Sequence, residues 1–147
     1  MIGIRVYLAG HYSRKVEIAA AARELEALGI KVTSTWFRES FAPNVCMKAV
    51  SESFCRKTAK RDVRELTAAT HFVLFTFEPD VKFTRGGHCV ENGIAWGLCK
   101  TLAVVGPRQH IFHYLPGLRR FDSWGPACAW LERNNRAAIQ NRRYARQ

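Results

Sequence analysis

A glycine pair followed by a single carboxylate is the feature of this sequence that points most directly to chemistry. Gly86 and Gly87 precede Glu91 by one helical turn, between two apolar segments with the pattern of buried strands. Glycines allow a ligand to approach the backbone, and an acid in the first turn of a helix interacts with the positive end of the helix dipole. That position favours the ionised, nucleophilic form of the glutamate. The alternative is an ordinary helix N-terminus with a stabilising acid.

The segment after the first apolar run predicts an anion site. It contains Gly10, Tyr12, Ser13, Arg14 and Lys15 and leads into a helix. A glycine turn, a hydroxyl group and two cations at a helix N-terminus are typical of a phosphate cradle, because free N–H groups and the dipole favour an anion. The alternative is a capped helix with Ser13 as N-cap and two solvated cations. Since the segment is not a G-x-G-x-x-G motif, we expect no dinucleotide cofactor.

The remaining acids, histidines and cysteines add candidates but no metal motif. Asp80 follows the third apolar run, and Asp62 lies between cations on a long helix, where a surface ion pair accounts for it equally well. His110 and His113 flank an apolar pair, and the sequence has neither an H-E-x-x-H nor a C-x-x-C pattern. We therefore predict no metal, no cofactor and reduced thiols.

These candidates must be positioned by segments in which strand and helix patterns alternate. The predicted strands are 4–10, 30–36, 71–77 and 101–106, with an extended piece near 120–123. The predicted helices are one that carries Ile18, Ala21, Ala22, Leu25 and Leu28 and ends at Gly29, then 45–70, 90–98 and about 126–143. The alternation predicts one α/β domain over 1–147, a flavodoxin-like (Rossmann-like) three-layer sandwich with a parallel sheet of about five strands. Ligands then bind at the carboxyl ends of the strands.

Composition limits the partners. The chain of 147 residues has a formal charge of +11, from 23 Lys and Arg against 12 acids, so we expect anionic partners. A basic C-terminal tail at about 133–147 contains five arginines and no acid, which predicts a nucleic-acid surface or simply a solvated helix. No apolar run approaches the ~20 residues of a membrane span, and the chain leads straight into a strand. We expect a cytoplasmic protein without a membrane partner.

Several short motifs together carry a family resemblance. They are Tyr7-Leu8-Ala9-Gly10, Tyr12-Ser13-Arg14, Asp62 on the long helix, Gly86-Gly87-x-x-x-Glu91-x-Gly93-x-Ala95, and Val104-Val105-Gly106-Pro107. In this order and spacing, from the first strand to about Trp130, the chain resembles the nucleoside 2-deoxyribosyltransferase family. The same superfamily includes the nucleoside 5'-monophosphate N-glycosidases.

The resemblance implies roles for three residues. Glu91 matches the nucleophile that attacks C1' of the sugar and forms a glycosyl ester, which water or a second base then resolves. Tyr7 matches the tyrosine that orients this carboxylate, and Asp62 matches the acid that works at the nucleobase. The chemistry is sensible, because a fixed anion stabilises an oxocarbenium-like transition state and a protonated base leaves more easily.

The segment around the glycine pair departs from the family pattern. We expect Asp80, Arg85, Gly86, Gly87 and His88 to contact the substrate. However, Arg85 stands where the family often carries an acid, and Ala69-Thr70-His71 replaces the usual Ala-Asp before the third strand. Base preference therefore does not follow from the resemblance.

Three further expectations concern substrate and assembly. The cations Arg14, Lys15 and Arg85 favour a nucleoside 5'-monophosphate over a free nucleoside. The resemblance implies a homodimer or larger assembly, with the segment 107–118 reaching a neighbouring site. The alternatives are a non-catalytic nucleotide- or nucleic-acid-binding protein, whose aromatic residues stack bases, and a glycosylase that acts on DNA by extruding the base.

Overall fold

Five parallel strands form one sheet in the computed structural model, which describes residues 3–39, 50–76 and 86–145. The strand order is β2-β1-β3-β4-β5. Gly10 is paired with Phe75, and Phe75 with Val105, so the carboxyl ends of the three central strands lie at one edge of the sheet. The strands are β1 (Arg5–Gly10), β2 (Lys31–Val32), β3 (His71–Phe75), β4 (Thr101–Val105) and β5 (Arg119–Phe121).

Helices cover both faces of this sheet. They are α1 (Lys15–Ala27), α2 (Glu52–Ala68), α3 (Gly87–Gly97) and α4 (Trp124–Tyr144), with short 3-10 helices at Tyr12–Arg14, Trp36–Arg38 and Ile111–Tyr114. One core layer joins α1 and α4 to Val6, Leu8 and Phe75, and the other joins α2 and α3 to Tyr7 and Phe72. Successive strand residues alternate between the two layers because their side chains point to opposite faces. The predicted three-layer α/β sandwich is confirmed.

The second strand is shorter than predicted. The prediction was 30–36, but the strand comprises only Lys31 and Val32, and Trp36 lies in a 3-10 helix. Beyond Thr33, whose N–H bonds to the Val6 carbonyl, the backbone N–H of Leu8 donates instead to the Ser34 hydroxyl at 2.9 Å. A side-chain acceptor that replaces the backbone acceptor ends the ladder there.

The helix boundaries also differ from the predictions. α1 buries Ile18 and Leu25 as expected, but Leu28 follows the helix and is exposed, because Gly29 turns the chain away at a φ of +72°. α2 begins at Glu52, where the Ser51 hydroxyl caps it, and residues 45–49 of the predicted helix lie outside the described residues. Within the described ranges, no helix has the length and apolar character needed to cross a membrane.

The start of α3 has a functional consequence. The sequence pattern predicted 90–98, but the helix begins at Gly87, directly after Gly86, which adopts the left-handed conformation at a φ of +73°. A residue without a Cβ takes that conformation without strain. Glu91 is therefore the fifth residue of α3 and lies in its second turn, so the prediction of a first-turn acid is wrong.

Candidate active site

A tyrosine from β1 and a glutamate from α3 form the centre of the candidate site. Tyr7 is fully buried on the face covered by α2 and α3, and its ring stacks on Phe72 with a centroid distance of 5.9 Å. Its hydroxyl group donates a hydrogen bond of 2.6 Å to Oε1 of Glu91. Such a short O–H···O contact is typical of a hydrogen bond to a charged acceptor. The contact joins residues 84 positions apart and fixes the orientation of the carboxylate.

The electrostatics of Glu91 differ from the expectation based on the helix dipole. The pKa of Glu91 is raised to about 7, because burial and, less strongly, Asp62 raise it by more than the Tyr7 hydrogen bond and Arg61 lower it. The dipole was expected to favour ionisation, but its influence is concentrated in the first turn, which Glu91 does not occupy. Burial and the neighbouring carboxylates raise the pKa of Tyr7 well above its ordinary value. The phenol therefore stays protonated and acts as a donor.

Asp62 of α2 lies close to this pair. Burial raises the pKa of Asp62, whereas its hydrogen bond and charge contact with Arg61 lower it. Asp62 and Glu65 both contribute to the raised pKa of Tyr7, so both carboxylates lie near enough to act on it electrostatically. The ion pair expected from the sequence is present, at 2.7 Å between Arg61 and Asp62, but the side chain of Asp62 is only 23% exposed. A plain surface ion pair is therefore the wrong description.

An apolar cleft of about 430 Å³ opens beside Asp62. Tyr12, Trp36 and Phe54 contribute aromatic walls, and Asp62 and Arg61 contribute charged groups. The indole N–H of Trp36 donates to the Leu8 carbonyl at 2.8 Å, which fixes one wall. An apolar cleft of this size with a few convergent polar groups is typical of a small-molecule site.

Lys15 contacts two of the residues that line this cleft. Its ammonium group donates to the Tyr12 hydroxyl and to the Glu39 carbonyl, both at 3.1 Å, and lies over the Tyr12 ring. Both acceptors are uncharged, so the positive charge of Lys15 is not neutralised by these two contacts. Lys15 therefore keeps the capacity to attract an anion beside the Tyr12 wall of the cleft.

Arg14 lies on the other face of the sheet. Its guanidinium group forms two hydrogen bonds to Glu17, of 2.7 and 2.6 Å, and packs over the ring of Phe75 in the layer of α1 and α4. Arg14, Gly106 and Arg120 line a second cleft of about 490 Å³. Because Glu17 offsets its charge, Arg14 is a weaker anion ligand than the sequence suggested.

The predicted glycine and serine positions have separate structural explanations. A Cβ on Gly10 would lie 2.6 Å from Ile18 Cδ1, so a larger residue would force the buried Ile18 side chain of α1 to shift. The Nδ1 atom of His11, and not Ser13, caps the first 3-10 helix, and α1 starts without a side-chain cap. The alternative with Ser13 as N-cap is therefore wrong. Gly87 begins α3, and a Cβ there would meet open space.

Four histidines cluster at the carboxyl edge of the sheet, which the sequence did not predict. Burial lowers the pKa of His88, with further contributions from His11 and His110. The rings of His110 and His113 lie 3.8 Å apart, and burial lowers the pKa of His113 to about 4. They meet because His11 follows β1, His88 follows β3, and both His110 and His113 follow β4, whose carboxyl ends share one edge of the sheet. Within the described residues, no group of three or more ligating side chains has the arrangement of a metal site.

Two further predicted contacts, Asp80 and Arg85, lie outside the described residues. Two residues that the sequence analysis did not select are part of the site. Arg61 bonds to both Asp62 and Glu39. The signal available in the sequence was the adjacent Arg61-Asp62 pair, whereas the approach of Glu39 depends on the tertiary fold.

Comparison with known proteins supports the fold. No family model matches the chain, and no curated protein matches it. The solved structure of the 2-deoxyribosyltransferase of the psychrotolerant bacterium Bacillus psychrosaccharolyticus is similar, with a TM-score of 0.61 and 21% identity over 86% of this chain and 95% of that one. The CMP N-glycosidase BcmB of Clostridium botulinum is similar with a TM-score of 0.53 and 17% identity, over 87% of this chain and 98% of that one.

The chain therefore has the three-layer fold of a 2-deoxyribosyltransferase and of a CMP N-glycosidase. The resemblance inferred from the sequence motifs is confirmed for the fold. The similarity extends over almost the whole length of both solved chains.

Proposed function

We propose that the protein cleaves the N-glycosidic bond of a nucleoside or a nucleoside 5'-monophosphate. The observation that carries this proposal is the 2.6 Å hydrogen bond from Tyr7 to Glu91, in a buried setting beside Asp62. A surface that only binds phosphate or nucleic acid gains nothing from a buried, oriented carboxylate. The two similar solved structures, a 2-deoxyribosyltransferase and a CMP N-glycosidase, add support.

The proposed reaction begins with the ionised carboxylate of Glu91. An oxygen of Glu91 forms a bond to C1' of the sugar while the C1'–N bond breaks. The electron pair of the C1'–N bond leaves with the base. The Tyr7 hydroxyl group stays protonated, and its hydrogen bond to Oε1 fixes the orientation of the carboxylate. Because the pKa of Glu91 is about 7, the nucleophilic form predominates only above neutral pH.

Asp62 is the proposed proton donor or hydrogen-bond partner of the leaving base. Its raised pKa lets the protonated form persist to higher pH than in an exposed aspartate. The aromatic cleft beside it has room for a nucleobase, with Tyr12, Trp36 and Phe54 as apolar contacts. Water, or a second base in the same cleft, then attacks C1' and releases Glu91.

A product assay tests the function and separates hydrolysis from transfer. The protein is incubated with each deoxynucleoside, each ribonucleoside and their 5'-monophosphates, with and without a second free base, and the products are identified by chromatography. Release of free base without an acceptor indicates an N-glycosidase. A new nucleoside formed only with the second base indicates a transferase. Absence of both products across the whole panel contradicts the proposed function.

We propose that 5'-monophosphates are the preferred substrates, because a cation at the start of α1 attracts the phosphate group. The support is the formal charge of +11 and the contact of Lys15 with Tyr12, which lines the cleft. Lys15→Ala is expected to raise the KM for monophosphates about tenfold, ~1.4 kcal/mol, and to change the KM for nucleosides little, whereas Arg14→Ala, whose charge Glu17 offsets, should have the smaller effect. Steady-state kinetics on both substrate forms measure this, with exposed Lys57→Ala as the control. A wild-type preference for the free nucleoside contradicts it.

Tyr7→Phe is expected to slow all substrates by a similar factor of roughly 10 to 100, since a hydrogen bond to a charged group contributes about 1.5 to 3 kcal/mol. The tyrosine hydrogen bond also lowers the pKa of Glu91. Its loss should therefore move the acidic limb of the kcat/KM profile to higher pH. The pH profile of the variant is compared with that of Tyr144→Phe, at an exposed position. An unchanged acidic limb would show that Tyr7 does not tune the carboxylate.

A homodimer or larger assembly stays a proposal. Ile111, Phe112 and Tyr114, in the segment expected to reach a neighbouring site, are 78%, 58% and 70% exposed. Apolar side chains in one exposed segment are typical of an interaction surface. Sedimentation velocity measures the assembly, and a monomer at micromolar concentration contradicts it. Nucleic-acid binding by the basic tail, where Arg133 and Arg136 are exposed on α4, likewise stays a prediction.

A further inference from the structure

Arg61 occupies the centre of a group of acidic side chains. Its Nε and Nη2 atoms donate to Oδ1 of Asp62 at 2.9 and 2.7 Å, and its Nη1 atom donates to Oε1 of Glu39. The Arg61 side chain is only 19% exposed. A guanidinium group held by two carboxylates has little freedom, because its planar fork matches their geometry.

The contact with Asp62 is asymmetric. Both donors of Arg61 meet the same oxygen, Oδ1, and no described residue donates to Oδ2. Arg61 therefore holds one oxygen of the carboxyl group and leaves the other without a donor among the described residues. A proton resides more readily on Oδ2, because the positive charge of Arg61 stabilises negative charge on Oδ1.

Glu39, the second acid bound by Arg61, connects Arg61 to the segment that follows β1. The backbone carbonyl of Glu39 accepts hydrogen bonds from the Tyr12 hydroxyl at 3.2 Å and from Lys15 at 3.1 Å. Tyr12, Lys15, Glu39 and Arg61 thus form a continuous set of contacts that ends at Asp62. Any shift of Arg61 would be transmitted to the open oxygen of Asp62.

Arg61 also offsets the repulsion between the acids of the site. The groups that face Asp62 and Glu91 are Tyr7 of β1, Glu65 of α2 and Arg61 itself. Both oxygens of Glu65 are already engaged by Thr35, at 3.0 and 2.7 Å. Arg61 is the cation that lowers the pKa of both Asp62 and Glu91.

We propose that Arg61 is a positioning residue that holds Oδ1 of Asp62, presents Oδ2 to the leaving group, and stabilises the negative charge of the site with its own positive charge. This inference rests on the proposed function for its kinetic consequence, but not for its electrostatic one. We expect Arg61 to matter most for nucleobases that leave poorly unless they are protonated.

The test uses Arg61→Met, which removes the charge, Arg61→Lys, which keeps the charge and loses the fork, and Arg64→Met as the control. Arg64 is exposed on the same helix. The carboxyl groups are first titrated by carbon-13 NMR in the substrate-free protein. We expect Asp62 and Glu91 to titrate higher by roughly one pH unit or more in Arg61→Met. They should stay near the wild-type values in Arg61→Lys and Arg64→Met.

Kinetics then test the orientation of Asp62. Both Arg61 variants are expected to lose on the order of tenfold or more in kcat for poor leaving groups, and much less for good ones. Unchanged carboxyl titration in Arg61→Met, or equal losses for all leaving groups in Arg61→Lys, overturns the proposal. Should Arg61→Met fail to fold, the leaving-group dependence of Arg61→Lys decides alone. A wild-type protein without N-glycosidase activity refutes the proposed function, while the titration still decides the electrostatic role of Arg61.

Discussion

Glu91→Gln is expected to lower turnover by about 10³-fold or more, because the amide cannot form the glycosyl ester and nucleophile removal in other enzymes has effects of this order or larger. The variant keeps the shape of the side chain and an oxygen that accepts the Tyr7 hydrogen bond. Steady-state assays with the preferred substrate measure the loss. The exposed first-turn acid of α2 provides the control variant Glu52→Gln, which should behave like the wild type.

The stability of the same variant provides a check that does not depend on activity. The pKa of Glu91 in the folded protein is about 7, above its ordinary value of 4.5. Ionisation therefore costs the folded state stability as the pH rises above 4.5, and the full cost is reached above 7. Glu91→Gln should raise the thermal midpoint more at pH 8 than at pH 5. Retention of more than a tenth of wild-type turnover by Glu91→Gln contradicts the assignment of Glu91 as nucleophile. A thermal midpoint below that of the wild type at pH 8 contradicts its raised pKa.

Asp62→Asn is the second variant with a large expected effect. Proton donation typically contributes 10²- to 10⁴-fold, so the loss in kcat should be of this order for bases that leave poorly and small for bases that leave well. The asparagine keeps the size of the side chain but cannot donate a carboxyl proton. Rates with a series of nucleosides that differ in their leaving group measure the dependence.

The matched control for Asp62 is Asp122→Asn. Asp122 is also paired with an arginine, Arg120, but its side chain is 85% exposed and solvent screens the pair. We expect wild-type kinetics for this control. Equal losses for good and poor leaving groups in Asp62→Asn would make Asp62 a positioning residue and not a proton donor.

The sequence predicted the layers of the fold and the residues of its centre better than the boundaries of its elements. Continuous apolar runs identified β1, β3 and β4, because strands covered on both faces leave no polar alternation. β2 was predicted too long, since its pattern continues while the Ser34 hydroxyl ends the ladder. Likewise, nothing in the local pattern showed that α3 begins at Gly87 and moves Glu91 into the second turn.

The electrostatics of the site depend on contacts that no local pattern contains. Glu91 was expected to be ionised easily at a helix end, whereas burial raises its pKa to about 7. Arg14 and Lys15 are neighbours in the sequence, but Arg14 pairs with Glu17 whereas Lys15 contacts Tyr12 and Glu39. The histidine cluster and the contact of Glu39 with Arg61 likewise arise only when segments far apart in the sequence meet.

The central claim, that Glu91 forms a covalent bond to the sugar, is tested most directly by mass spectrometry of the intact protein. A 2-fluorinated nucleoside or its monophosphate slows the resolution of a glycosyl ester, so the adduct should accumulate. We predict a mass increase equal to that of the fluorinated sugar moiety, located by peptide mapping on Glu91 and absent from Glu91→Gln. Turnover of the fluorinated substrate with no adduct at any quench time, or an adduct on another residue, would contradict the account.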